Sequence, residues 1–268
     1  MMAEDPFRTE LNAVIDDLKT ATVFLTRVPA RLLGPSLEAR PDFRRAARVF
    51  PVVGALVGLA GGIVLVLAAL LGENVLIAAG LAVLATLALT NALHEDGLAD
   101  TVDGFAGGAT SERKLEIMDD SRIGTFGAAA LVFSILFRVG ALMSIAAAGP
   151  FRAALALVAA EAVSRAAMVR LWHDLPAARM SGLAADTGPP DERAMLIALG
   201  AAAAIVGIVV IPSSGFTAAV MASVIAAAAT YLFIRICAHE IGGRTGDTLG
   251  ACQQIAAIAF LIGLAAFD

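Results

Sequence analysis

Three aspartates fall within eight residues of the stretch His94-Glu95-Asp96-Gly97-Leu98-Ala99-Asp100-Thr101-Val102-Asp103-Gly104, in a chain that otherwise avoids charge. Helical spacing puts Asp96, Asp100 and Asp103 at i, i+4 and i+7, on one face. Ionised carboxylates that close repel one another, and the repulsion either raises their pKa values or is relieved by a bound cation. Hard divalent ions such as Mg²⁺ take oxygen ligands, often a few carboxylates completed by substrate phosphates. Gly97, Gly104, Gly107 and Gly108 remove side chains where a phosphate or another backbone must come close. The stretch points to metal–phosphate chemistry, with His94 beside it as a base, a phosphate contact or a ligand.

Three further groups carry chemistry. In Met118-Asp119-Asp120-Ser121-Arg122-Ile123-Gly124-Thr125-Phe126-Gly127, Asp120 can complete a metal site and Arg122 can hold a phosphate through its guanidinium fork. The same residues also suit a helix cap and a membrane-flanking cation. In Gly242-Gly243-Arg244-Thr245-Gly246-Asp247-Thr248-Leu249-Gly250, a glycine-rich backbone leads into a helix start, a usable anion site. There Arg244, Gly246 and Thr248 are candidate substrate contacts, and Asp247 is either a ligand or the cap of the last helix. Glu161, Arg165 and Arg179 form the last group. An ionisable residue inside an apolar segment is a functional hypothesis by default, although Glu161 and Arg165, at i and i+4, can simply neutralise each other, and Arg138 can also pair with Glu161. No P-loop, zincin or nucleophile-elbow motif is present, which disfavours those chemistries.

The elements that must position these residues are membrane helices. Of 268 residues, 59% are hydrophobic and 16% charged, and the mean hydropathy is +0.84, against roughly a quarter charged in a soluble domain. Backbone polar groups in lipid must be satisfied within their own segment, so this composition predicts an all-α, polytopic integral membrane bundle. Apolar runs of about 20 residues lie near 51–71, 75–93, 125–147, 150–171, 194–212, 216–234 and 250–267, about seven spans in one domain, 1–268. Segment 8–28 reads as an N-terminal amphipathic interfacial helix, with Leu11, Val14, Ile15, Leu18 and Leu25 opposite Asp16, Asp17 and Lys19. Lys and Arg concentrate in the N-terminal segment and in loops 94–124, 172–193 and 235–249, whereas the intervening loops carry none. The positive-inside rule then predicts a cytoplasmic N-terminus and a cytoplasmic site. No cleavable signal peptide is read. Gly54, Gly58 and Gly61 or Gly62 have the spacing of close helix packing. Cys237 and Cys252 show no ligand or disulfide spacing.

These motifs resemble those of the adenosylcobinamide-GDP ribazoletransferase (cobalamin 5′-phosphate synthase) family. The resemblance is carried by Phe24-Leu25-Thr26-Arg27-Val28-Pro29, Phe50-Pro51-Val52-Val53-Gly54, the run from His94 through Asp96 to Gly104, and Leu115–Met118 leading into Asp120–Gly127. Arg165, Pro176 to Arg179 with Gly182, and Thr245–Ala251 extend it over nearly the whole chain. Glu95 stands where an apolar residue is expected, and Asp119 where a basic one is. The resemblance implies a Mg²⁺-dependent late step of cobalamin (vitamin B12) biosynthesis at a bacterial-type inner membrane. In that step adenosylcobinamide-GDP and α-ribazole, or its 5′-phosphate, are joined and GMP leaves. It implies that Asp96, Asp100 and Asp103 bind metal, with Asp120 and Asp247 as further ligands. Arg122, Arg165, Arg179 and Arg244 would then hold the diphosphate, and His94 or a spare carboxylate would take the hydroxyl proton. Asp103→Asn is then expected to abolish turnover with little effect on folding. Membrane lipid is an expected partner and nucleic acid is not; homo-oligomerisation is open. Two rivals stand beside this reading, a lipid CDP-alcohol phosphotransferase and a divalent-cation transporter. Against the first, Asp100 stands where that family's motif has Arg; against the second, the acids cluster in a loop and not at mid-membrane.

Overall fold

A computed structural model describes residues 6–33, 42–179 and 187–267, and among them every regular element is helical. Helix α1 is Pro6–Leu25 and α2 is the short Phe43–Ala46, followed through one 3₁₀ turn by α3, Phe50–Leu70. Next come α4 (Val75–Thr90), α5 (Leu93–Gly107), α6 (Ser111–Met118), α7 (Thr125–Ala146) and α8 (Pro150–Asp174). The chain closes with α9 (Glu192–Val209), α10 (Ile211–Ser214), α11 (Phe216–Ile241) and α12 (Gly246–Phe267).

Five of the described helical segments are long and apolar enough to cross a membrane: Phe43–Leu70, Thr125–Ala146, Glu192–Ser214, Phe216–Ile241 and Gly246–Phe267. The bent pair α4–α5 adds a sixth if it is one broken span. Helix α8, at 25 residues, is set apart by charge and not by length, since it carries Arg152, Glu161, Arg165 and Arg170. These helices make a multi-pass membrane bundle.

Helices α3 and α8 pack along the glycine stripe. A Cβ on Gly58 would stand 2.7 Å from the Leu157 carbonyl oxygen and 2.7 Å from the Val158 Cα, so the two backbones meet where side chains are missing. The apolar core runs from mid-bundle (Leu65, Leu142, Leu157, Phe260) to the end where α1, α2 and α5 gather (Leu25, Phe50, Trp172, Ile234).

Two features differ from the sequence reading. The segment 94–124 contains two helices, α5 and α6. Asn91 and Ala92 both adopt left-handed backbone (φ 57° and 56°), which ends α4 and turns the chain by 90° into α5. In α1, Asp17 does not face outward with Asp16 and Lys19. It is buried, and its two oxygens accept from Arg45 Nε (2.8 Å) and Arg48 Nε (2.7 Å), which fastens α1 to α2 and the turn after it. Leu11 and Ile15 remain exposed on the neighbouring side of α1.

Candidate active site at α5

Helix α5 crosses the start of α12 at a point without side chains. A Cβ on Gly97 would lie 2.7 Å from the Asp247 carbonyl oxygen, and one on Gly250 would lie 3.2 Å from the His94 Cα. This close approach brings Asp247 to the edge of α5 that carries Asp96 and Asp100. Asp96 is exposed and Asp100 half-buried. Burial, together with the charges of Asp96, Asp247 and Asp103, pushes the Asp100 carboxyl up to about 7.

Arg179 is the cation among these acids. Its Nη1 lies 2.6 Å from Asp119 Oδ1 and its Nη2 lies 4.0 Å from Asp247 Oδ2. Its Nη2 also donates to the Leu115 carbonyl at the end of α6 (3.1 Å). A short parallel pairing holds it there: Ala178 N–H donates to Arg244 O (2.9 Å) and Arg244 N–H donates to Pro176 O (2.8 Å). Gly182 lies outside the described residues.

Asp103 has a different task from its two helical neighbours. It is 9% exposed, and its oxygens accept from the backbone N–H of Gly124 (2.7 Å) and Gly127 (2.8 Å). Those are orphan donors of the first turn of α7, whose own N-cap, Gly124, has no side chain to satisfy them. Asp103 thus caps α7 from another helix. Asp120 does not cap α7. It accepts from Arg122 Nε (3.0 Å) and Nη2 (2.6 Å), and these hydrogen bonds bring its carboxyl down to about 2. The Asp120–Arg122 pair lies in the open and lines a pocket with Asp103, Arg113 and Phe126.

The remaining predicted residues face inward. Thr245 and Thr248 cap the start of α12 reciprocally: Thr245 N–H donates to Thr248 Oγ1 (2.9 Å) and Thr248 N–H to Thr245 Oγ1 (3.2 Å). Gly246 opens that helix, so Asp247 is not its cap. Arg244 is buried, donating from Nε to the Trp172 carbonyl (3.1 Å) and lying 5.9 Å from the centre of the Trp172 ring. The glycine-rich run is therefore filled by its own arginine and its own threonines.

On the opposite side of α5, His94 and Glu95 are sealed inside the bundle with Arg138, Glu161, Arg165, Gln253 and Gln254. Arg138 Nη1 pairs with Glu95 Oε1 (3.0 Å) and Arg165 pairs with Glu161. Gln254 donates to Glu95 (3.2 Å) and accepts from Ser134 (2.8 Å), while Gln253 donates to Ser164 (3.0 Å). Neither His94 nor Arg165 faces the open acids, and His94 Nε2 meets no hydrogen-bond partner among the described residues. Sequence reasoning missed the Glu95–Arg138 pair and both glutamines. The available signal was a count: two acids and two arginines lie in or beside apolar segments.

The structure therefore brings together Asp96, Asp100, Asp247 and Arg179, with Asp119 added. It does not bring together all five predicted metal ligands, and no group of three or more His, Cys, Asp or Glu among the described residues is disposed as a complete metal site. A Mg²⁺ ion that works with phosphates needs only one or two protein carboxylates. Asp100, crowded by like charge and offering hard oxygen donors, fits that role with Asp96 and Asp247 beside it. Asp103 and Asp120 already use their oxygens on backbone amides and Arg122.

The family model "Cobalamin-5-phosphate synthase" matches residues 17–265. A relative from Azorhizobium caulinodans, named adenosylcobinamide-GDP ribazoletransferase, is 46% identical over 252 residues, covering 94% of this chain and 96% of its own. Relatives of the same name from Brucella melitensis and Brucella ovis are 44% identical over 254 residues, covering 94% of this chain and 97% of theirs. No solved structure matches the chain.

Proposed function

The chain belongs to the cobalamin-5-phosphate synthase family and is a transferase of cobalamin biosynthesis; from there we propose that it joins adenosylcobinamide-GDP to α-ribazole or α-ribazole 5′-phosphate. The product is adenosylcobalamin or its 5′-phosphate, and GMP leaves. The ribose hydroxyl oxygen bonds to the phosphorus on the corrinoid side, and the bridging P–O bond breaks toward the guanosine phosphate. A Mg²⁺ ion held by Asp100 with Asp96 and Asp247 would offset charge on the diphosphate oxygens. Arg179, on the same edge, would meet a further phosphate oxygen by exchanging its carboxylate partners for the substrate. The hydroxyl proton passes to an outer carboxylate not engaged by metal, because His94 is sealed inside. For a chain in a bacterial-type inner membrane, the alternation of basic loops supports a site and an N-terminus on the cytoplasmic side.

The observation that carries this reading is the acid excess on the open edge of α5, where, among the described residues, Asp96, Asp100, Asp119 and Asp247 gather around Arg179. The test is turnover of the purified full chain in detergent with adenosylcobinamide-GDP and α-ribazole, with Mg²⁺ or with EDTA. GMP and corrinoid product should appear together and only with metal. A folded sample that makes neither would overturn the substrate assignment.

A further inference from the structure

Away from the α5 site, segments far apart in sequence bring arginines to one concavity. An open cavity of about 630 Å³ is lined by Arg44, Arg45 and Arg48 from the start of the α2–α3 segment and by Arg193 from the start of α9, with Asp42, Asp191, Ala194 and Ile197. None of these residues lines the α5 site. The volume falls within the range of small-molecule pockets, roughly 300–1,000 Å³; among the described residues the lining is mainly charged, with Ala194 and Ile197 as its apolar members.

The arginines are held in place from behind. Arg45 and Arg48 direct Nε to the buried Asp17, and Arg44 directs Nε to the Pro189 carbonyl (2.9 Å). Arg48 also donates from Nη1 to Glu10 (3.3 Å), so Arg45 and Arg48 form a charge-paired wall, while the Nε contact of Arg44 orients its terminal nitrogens and lowers the ordering cost of binding. Among the described residues, the lining's carboxylates, Asp42 and Asp191, are engaged as helix caps. Asp42 accepts from the backbone N–H of Arg44 and Arg45 (3.1 Å each), and Asp191 from Ala194 N–H (2.7 Å). Neither Arg44 nor Arg193 has a carboxylate within ion-pair distance among the described residues. Membrane-flanking arginines that only set orientation need not converge; these converge from positions about 145 residues apart, the separation of Arg44 and Pro189.

We propose that this arginine cavity is a phosphate-binding site, separate from the carboxylate edge of α5, which takes the phosphate group of a small ester or of a phospholipid headgroup. Planar guanidinium forks suit the tetrahedral oxyanion. The inference does not depend on the transferase reading, and its test needs no turnover.

The full chain in neutral detergent, with EDTA present, is titrated with inorganic pyrophosphate while thermal unfolding is followed. In parallel, its midpoint is compared in phosphatidylcholine nanodiscs with and without phosphatidylglycerol. EDTA removes metal from the α5 edge, where the acids then repel the anion. Stabilisation by pyrophosphate supports a soluble phosphate as the ligand, and stabilisation by phosphatidylglycerol alone supports the headgroup. In either case the double variant Arg44→Gln with Arg193→Gln should weaken binding by about tenfold or more, a loss of two charge-assisted contacts. The double lysine variant, which keeps both charges but not the forks, should bind with an affinity between the wild type and the glutamine variant and serves as the folding control. Absence of an effect from either probe on the wild-type chain overturns the proposal. So does binding that is equally tight in the glutamine variant.

Discussion

The two sides of α5 treat charge in opposite ways. Inward, Glu95 and Glu161 meet Arg138 and Arg165, two acids and two cations, all buried and tied to Gln253 and Gln254. Outward, among the described residues, Arg179 pairs with Asp119 and lies 4.0 Å from Asp247, with Asp96 and Asp100 beside them. A buried charge left unpaired is too costly to keep, so the inner side must balance its charge. The outer side, reached by water, can hold an excess of like charge, which a cation would relieve. A balanced cluster positions the helix, and an unbalanced one is where a charged ligand can act.

The largest test of that contrast is on the inner side. Glu95→Gln leaves Arg138 buried without its counter-charge, and removing one partner of a buried pair costs about 3–5 kcal/mol. The midpoint of thermal unfolding in detergent should drop sharply, and the further change Arg138→Met should recover much of it. An unchanged midpoint would mean the pair is not holding α5 against α7. On the outer side the balance of effects reverses. Asp100→Asn should cost about 10²-fold or more in turnover, as removal of charge stabilisation at a phosphoryl group does, while the unfolding midpoint of the metal-free chain stays level or rises as like-charge repulsion is relieved. A normal rate would take Asp100 out of the site.

Asp103 sharpens the comparison because it lies on the outer face by spacing and behaves as an inner residue. Asp103→Asn turns one acceptor oxygen into a donor facing the backbone N–H of Gly124 or Gly127, with an expected cost of about 1–3 kcal/mol of stability. Its effect on rate should follow from displacement of the 120–127 segment. If turnover vanishes while the unfolding midpoint holds, the expectation drawn from sequence stands and the carboxylate acts on metal or substrate directly.

Asp103 also shows where sequence reading stops. Spacing at i, i+4 and i+7 identifies a face, but it does not tell what covers that face. Here the start of α7 covers its last third, through backbone amides that a sequence pattern does not display. The same holds for Arg244. A glycine-rich run before a helix reads as an anion cradle, yet residues 243–244 pair with 176–178 and the side chain turns under Trp172. What was legible depends on local periodicity: the apolar helices, the close-packed glycines of α3, and the side of α5 that carries Asp96 and Asp100. Partner choice among distant charges was not legible. Glu161 had two arginines to choose from, and Asp17 looked solvated until α2 was folded beside it.

The smallest expected effect is the one most specific to the outer side. Burial and the neighbouring acids raise the Asp100 carboxyl from its ordinary 3.8 to about 7, so the folded, metal-free chain holds that proton more tightly than the unfolded chain. Its favourable contribution to folding is therefore full below the ordinary value and disappears as pH rises through about 7. A metal ion competes for the same oxygens. Below pH 7 it must displace a proton, so the apparent dissociation constant for Mg²⁺ should rise by about tenfold for each unit of pH lost. Above pH 7 it should level off. Unfolding midpoints of the full chain, titrated with Mg²⁺ at pH 6 and at pH 8, read this directly: the stabilisation by metal should be larger at the higher pH, and Asp100→Asn should remove most of the difference. Equal Mg²⁺ affinity at both values in the wild-type chain would mean that Asp100 gives up no proton to metal. The ion would then have to be sought on other carboxylates of that edge, the exposed Asp96 first among them.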